Sequence, residues 1–67
     1  MRPATRNLFE ATLGGSSAEE LRPLVDALPA EERELLLCAL QDVRHEVAAV
    51  CEARATEIDR LLNLQSV

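Results

Sequence analysis

The sequence predicts an all-α protein in which two short N-terminal helices pack on one long C-terminal amphipathic helix, a helical hairpin of coiled-coil-like character. Three observations carry this expectation. Hydrophobic residues make up 48% of the 67 residues, too many for a disordered chain, and most are leucine and alanine, which favour helix. β-Branched residues are sparse and no apolar–polar alternation persists, which argues against a sheet. From Ala30 to Val67 there is neither glycine nor proline, and apolar residues recur there at steps of three and four.

The elements follow in chain order. A first helix is expected over about 4–13, with Leu8, Phe9, Thr12 and Leu13 on one side and Thr5 as N-cap. Gly14-Gly15 stops it, because glycine readily takes the left-handed conformation that ends helices. In Gly14-Gly15-Ser16-Ser17, each serine has a glutamate three residues on, Glu19 and Glu20, and either pair fits a capping box. The second helix is expected over about 18–28, with Leu21, Leu24, Val25 and Leu28 on its apolar face. Pro23 predicts a kink or an irregular first turn there, since an interior proline removes one hydrogen bond and crowds the preceding turn.

Leu28-Pro29-Ala30 is a corner. The residue before a proline is pushed out of helical geometry, and Pro29 suits the first position of the next helix. Glu31, Glu32 and Glu34 then sit near its positive end and are expected to be helix-start and solubility charges. The third helix is expected over about 30–64. Leu36, Leu40, Val43, Val47, Cys51, Ala55, Ile58 and Leu62 mark its stripe at steps of 4, 3, 4, 4, 4, 3 and 4. The run of fours relaxes a left-handed supercoil locally. A break near Ala53-Arg54, folding the end back as a fourth helix, is the alternative. No glycine or proline marks one, so an unbroken helix is the expectation.

Length then bears on function. Residues 1–67 make a single small domain, and a chain of this size usually needs a disulfide, a metal or oligomerisation to be secure. An unbroken helix from 30 to 64 spans roughly 50 Å, whereas the second helix spans about 16 Å and covers only its first turns. The distal stripe, Val47, Val50, Cys51, Ala55, Ile58, Leu61 and Leu62, is thereby left for a partner, either another protein or a second copy. The expected function is a non-catalytic interaction module, of the kind an adaptor, regulatory subunit or chaperone-like cofactor provides. A homo-oligomeric structural bundle is the alternative.

The chemistry expected elsewhere is thin. The net charge is −5, which disfavours nucleic acid and anionic membrane as partners. Cys38 and Cys51, thirteen residues apart on one helix, stand roughly 20 Å apart and cannot form a disulfide within it. A reducing cytoplasm fits that usage. No signal-peptide pattern or membrane-length apolar run is present. Asp42 and His45 have the i, i+3 spacing of di-iron bundle ligands, but such sites draw further carboxylates from facing helices, and no metal or cofactor is expected. The string Arg44-His45-Glu46-Val47 resembles the start of the dimerisation box of sensor kinases over four residues. That resemblance implies a phosphoacceptor role for His45, in a histidine phosphotransfer protein. Ala49 and Val50 stand where such boxes carry proline or asparagine, and an ordinary solvated histidine is the simpler expectation. No catalytic constellation appears, and no enzymatic activity is expected.

Overall fold

The structure, a computed structural model, describes residues 1–64; the last three residues lie outside it. It is all-helical, with four helices among the described residues: α1 (Pro3–Gly14), α2 (Ala18–Asp26), α3 (Ala30–Val50) and α4 (Glu52–Leu64). The expected 30–64 helix is therefore two helices. It breaks at Cys51, whose backbone is extended (φ −153°, ψ 103°), two residues before the alternative break position named from sequence. α4 folds back on α3. The molecule measures 30 × 24 × 18 Å, too small to contain the roughly 50 Å rod.

The reason is energetic. Breaking a helix at one exposed corner gives up a few backbone hydrogen bonds, each worth about 0.5–1.5 kcal/mol net, and water takes the freed groups. Folding back removes Ala55, Ile58 and Leu61 from water almost completely (0%, 0% and 1% exposed). Burying an isoleucine or leucine is worth about 1.5–3 kcal/mol each. Burial outweighs helical continuity.

The core gathers from all four helices. Leu8 of α1, Ala18, Leu21 and Val25 of α2, Leu36 and Leu40 of α3, and Ile58 and Leu61 of α4 form one cluster. α2 makes its main contacts with α1 and α4 rather than with α3, which corrects the expectation that it folds back onto the start of α3. It runs continuously from Ala18 to Asp26 through Pro23, and Ser17 caps it by accepting from the Glu20 N–H at 3.3 Å. Pro29 is the N-cap of α3 rather than its first residue.

Several helix ends are completed by side chains from other helices. α1 begins at Pro3 behind Arg2, which supplies no side-chain cap. In its place Glu32, from the first turn of α3, accepts from the Arg2 N–H at 2.7 Å and from the Thr5 hydroxyl at 2.9 Å through one carboxylate oxygen. Thr5 is thus a buried partner within the first turn and not the expected N-cap. Glu32 is a buried cap for α1, whereas the sequence places it among solvent charges. At the end of α2, the Arg33 guanidinium donates to the Asp26 and Leu28 carbonyls at 3.3 and 3.1 Å.

The hydrogen bond from the Arg2 backbone, and then that from Thr5, hold the Glu32 carboxyl below its ordinary value. A depressed carboxyl pKa stabilises the fold above the unfolded value of about 4.3, and that stability is lost as pH falls through the lower, folded value. Glu32→Gln should therefore lower the melting temperature at pH 7 and flatten its decline in the acid range below about pH 4.3. An acid limb unchanged by the substitution would show that Glu32 does not carry it.

Candidate functional site

The site is the elbow where α3 ends and α4 begins, against the end of α1. Three local features build it. α1 closes with the paired bonds of a Schellman motif: Ser16 N–H donates to the Ala11 carbonyl at 3.1 Å and Gly15 N–H to the Thr12 carbonyl at 3.4 Å. Gly15 takes the left-handed conformation this requires (φ 108°). α1 has no basic residue in its last turn; Arg54 of α4 reaches across and donates to the Leu13 carbonyl. Cys51 then turns the chain, with its N–H bonded to the Val47 carbonyl at 2.7 Å.

The turn leaves an open groove of about 290 Å³ lined by Leu13, Glu46, Val47, Val50, Cys51 and Arg54. A smaller recess of about 140 Å³ adjoins it on the α1 side, between Gly15-Ser16 and the first turn of α4, sharing Cys51 and Arg54. Among the described residues Val50 is 88% exposed, well beyond the other exposed large hydrophobic residues, Met1 at 55%, Leu24 at 53% and Leu35 at 47%. Apolar walls, one carboxylate, Glu46, and the Arg54 side chain thus surround an uncovered valine. α3 carries no basic side chain in its last turn, so its negative pole meets the groove without a cation of its own helix.

Behind the groove, Arg44 of α3 grips Asp59 of α4 by two parallel hydrogen bonds, Nε to Oδ1 at 3.0 Å and Nη2 to Oδ2 at 2.8 Å. The carboxylate raises the pKa of the guanidinium, by hydrogen bonding first and by its charge second. Fifteen residues apart, the two would stand roughly 22 Å apart on a continuous helix, so the pair exists only because the chain folds back.

The seven residues expected to await a partner divide. Ala55, Ile58 and Leu61 are in the chain's own core and are not available as a surface, a correction that follows from the break at Cys51. Leu62 is half-buried and packs on that core. Val47 and Cys51 are half-buried and Val50 is exposed, and these three come together at the elbow. Sequence reasoning misses Leu13, Glu46 and Arg54 as members of the site. It assigns Leu13 to the first helix's own face, and it marks Arg54 only as a possible breaking point.

His45 is exposed on α3. Cys38 and Cys51 are both free thiols, Cys38 exposed. Among the described residues no group of three or more histidine, cysteine or acidic side chains is placed to hold a metal. No described helix is long and apolar enough to cross a membrane. Comparisons with protein-family models, with curated proteins and with solved structures find no match to this chain.

Proposed function

We propose that the protein is a non-catalytic binding module whose contact surface is the α3–α4 elbow. The observation that supports this most is Val50, an aliphatic side chain left 88% exposed on the wall of a groove also lined by Leu13, Glu46, Val47, Cys51 and Arg54. Apolar anchors seated in such grooves dominate protein recognition, and the polar rim sets the partner. Here the rim carries Glu46 and the end of α3, which has no basic side chain in its own last turn, with Arg54 on the α4 side, in a chain of net charge −5. The partner this fits is a protein segment that offers an apolar side chain flanked by arginine or lysine. A helix laid along the groove is the simplest form of it.

The test is photo-crosslinking in the native cell from a probe at position 50, with a probe at the exposed Gln41 of α3 as reference. The expected result is a heteromeric adduct from position 50 only, lost when Glu46→Lys reverses the rim. Equal adducts from both positions, or adducts with further copies of this chain alone, would overturn the proposal. In purified protein, Val50→Asp should change stability by no more than about 0.5 kcal/mol, because the side chain is already in water. The same substitution should abolish the adduct when the probe is moved to Val47.

A further inference from the structure

The elbow has a second property, independent of whether it binds another protein. Cys51 is the single non-helical residue between α3 and α4. On either side stand Ala48, Ala49, Val50, Glu52 and Ala53, with no glycine or proline to enforce a turn and no positive φ at the corner. The helical ladder is interrupted over only three steps. The Cys51 N–H still bonds to Val47 and the Ala55 N–H to Cys51, each four residues back. Between them, Glu52, Ala53 and Arg54 do not pair with Ala48, Ala49 and Val50. A change of backbone angles at this one corner would close the ladder and make a continuous helix from 30 to 64.

That straightening carries α4 away from its own core and leaves its slot empty of Ala55, Ile58 and Leu61. A second copy in the same state supplies the identical α4. From this geometry we infer that the protein forms a dimer by exchange of α4. Each α3 pairs with the other copy's α4, and the core contacts of α4 are remade between chains. Exchange of identical elements is a low-cost route to a dimer, and a very short hinge favours it.

The opposing terms are identifiable. Association costs translational and rotational freedom, so the dimer grows with concentration. Two copies of charge −5 repel, so it also grows with ionic strength. Three backbone bonds per chain favour it. In a closed two-fold exchange the straightened elbows cross, which places Val47 and Val50 of both copies at the crossing and covers the valine the monomer leaves in water.

The Arg44–Asp59 pair gives a direct test, because exchange converts it from a contact within one chain to a contact between two. Arg44→Asp and Asp59→Arg are made in separate proteins, so that each alone sets like charges across α3 and α4. The two proteins are then mixed, unfolded and refolded together. In an exchanged heterodimer both positions meet opposite charges: the two substituted residues face each other, and so do the two native ones. Native mass spectrometry should show the heterodimer in roughly tenfold excess over either homodimer, as two restored ion pairs allow. Statistical proportions, as a dimer docked without exchange would give, or monomers only, would overturn the inference.

If either variant fails to fold alone, the wild type decides by sedimentation over a concentration series. Its dimer fraction should rise with concentration and fall when two glycines are inserted after Cys51. A wild type monomeric throughout, or a dimer indifferent to the insertion, overturns it. Glu46→Lys separates the two proposals: it abolishes the crosslink to a partner protein, while the charge-paired heterodimer still forms.

Discussion

Ile58→Ala should cost about 2–5 kcal/mol of global stability in the isolated chain, the range for truncating a fully buried aliphatic side chain. Ile58 is 0% exposed and sits in the cluster with Leu36 and Leu40. A domain of this size has a total stability of roughly 3–10 kcal/mol, so the variant is expected to be largely or wholly unfolded near physiological temperature. Urea titration followed by circular dichroism measures the loss. Leu36→Ala supplies the comparison, since Leu36 is equally buried on the opposing helix. On a straight 30–64 helix Leu36 would still face the N-terminal helices, while Ile58 would stand clear of the fold. Equal losses from the two substitutions therefore report the fold-back of α4. A stable monomer with Ile58→Ala and an unstable one with Leu36→Ala would disprove it.

Gly15→Ala should destabilise the chain by about 1–2 kcal/mol, the cost of placing an L side chain in the left-handed region. Backbone strain is only part of the effect. A Cβ at Gly15 would lie 2.8 Å from Arg54 Nη2, so the guanidinium must shift, and Arg54 is the side chain that caps α1 at Leu13. The adjacent glycine is the control. A Cβ at Gly14 would meet nothing within 4 Å, and Gly14 has no positive φ, so Gly14→Ala should be neutral or stabilising by up to about 1 kcal/mol. Thermal melts of the two variants should thus move in opposite directions, or one should move alone. Equal destabilisation would show that the Schellman closure and the Arg54 cap do not depend on Gly15. Because Arg54 also lines the groove, Gly15→Ala should also alter the partner binding proposed for the elbow.

Much of the fold is legible because local chemistry marks it. Gly14-Gly15 ends α1, Ser17 with Glu20 starts α2, and Pro29 separates α2 from α3, all within a residue or two of expectation. The break at Cys51 is not legible in the same way, since nothing local enforces it. Two weaker signals are present. Apolar positions mirror one another about Cys51, Val47 and Ala55 at four residues, Leu40 and Leu62 at eleven, as two packed arms of a hairpin require. Arg44 and Asp59, nearly equidistant from the same residue, have opposite charges and pair in the fold. The distal stripe is apolar surface that must be covered, as the periodicity indicates; three of its residues are covered by the chain itself.

The candidate site is legible in part for the same reason. Val47, Val50 and Cys51 lie on the stripe the sequence marks, but their neighbours Leu13 and Arg54 come from helices whose approach depends on the fold-back. Glu32 and Arg33 show the limit most clearly. Adjacent in sequence, Glu32 reads as a helix-start charge and Arg33 carries no local signal, yet Glu32 caps the start of α1 and Arg33 the end of α2.

The sequence by itself determined that the chain is helical, where its first three helices start, and which faces are apolar, because capping, proline and periodicity act within a few residues. Tertiary structure alone decided that the C-terminal segment is two helices, that Ala55, Ile58 and Leu61 belong to the core, and that an exposed valine remains at the corner between them. The physical reason is one of magnitude. Helical continuity at a single residue is worth little, and the burial gained by giving it up is a sum over side chains that only the assembled fold brings together.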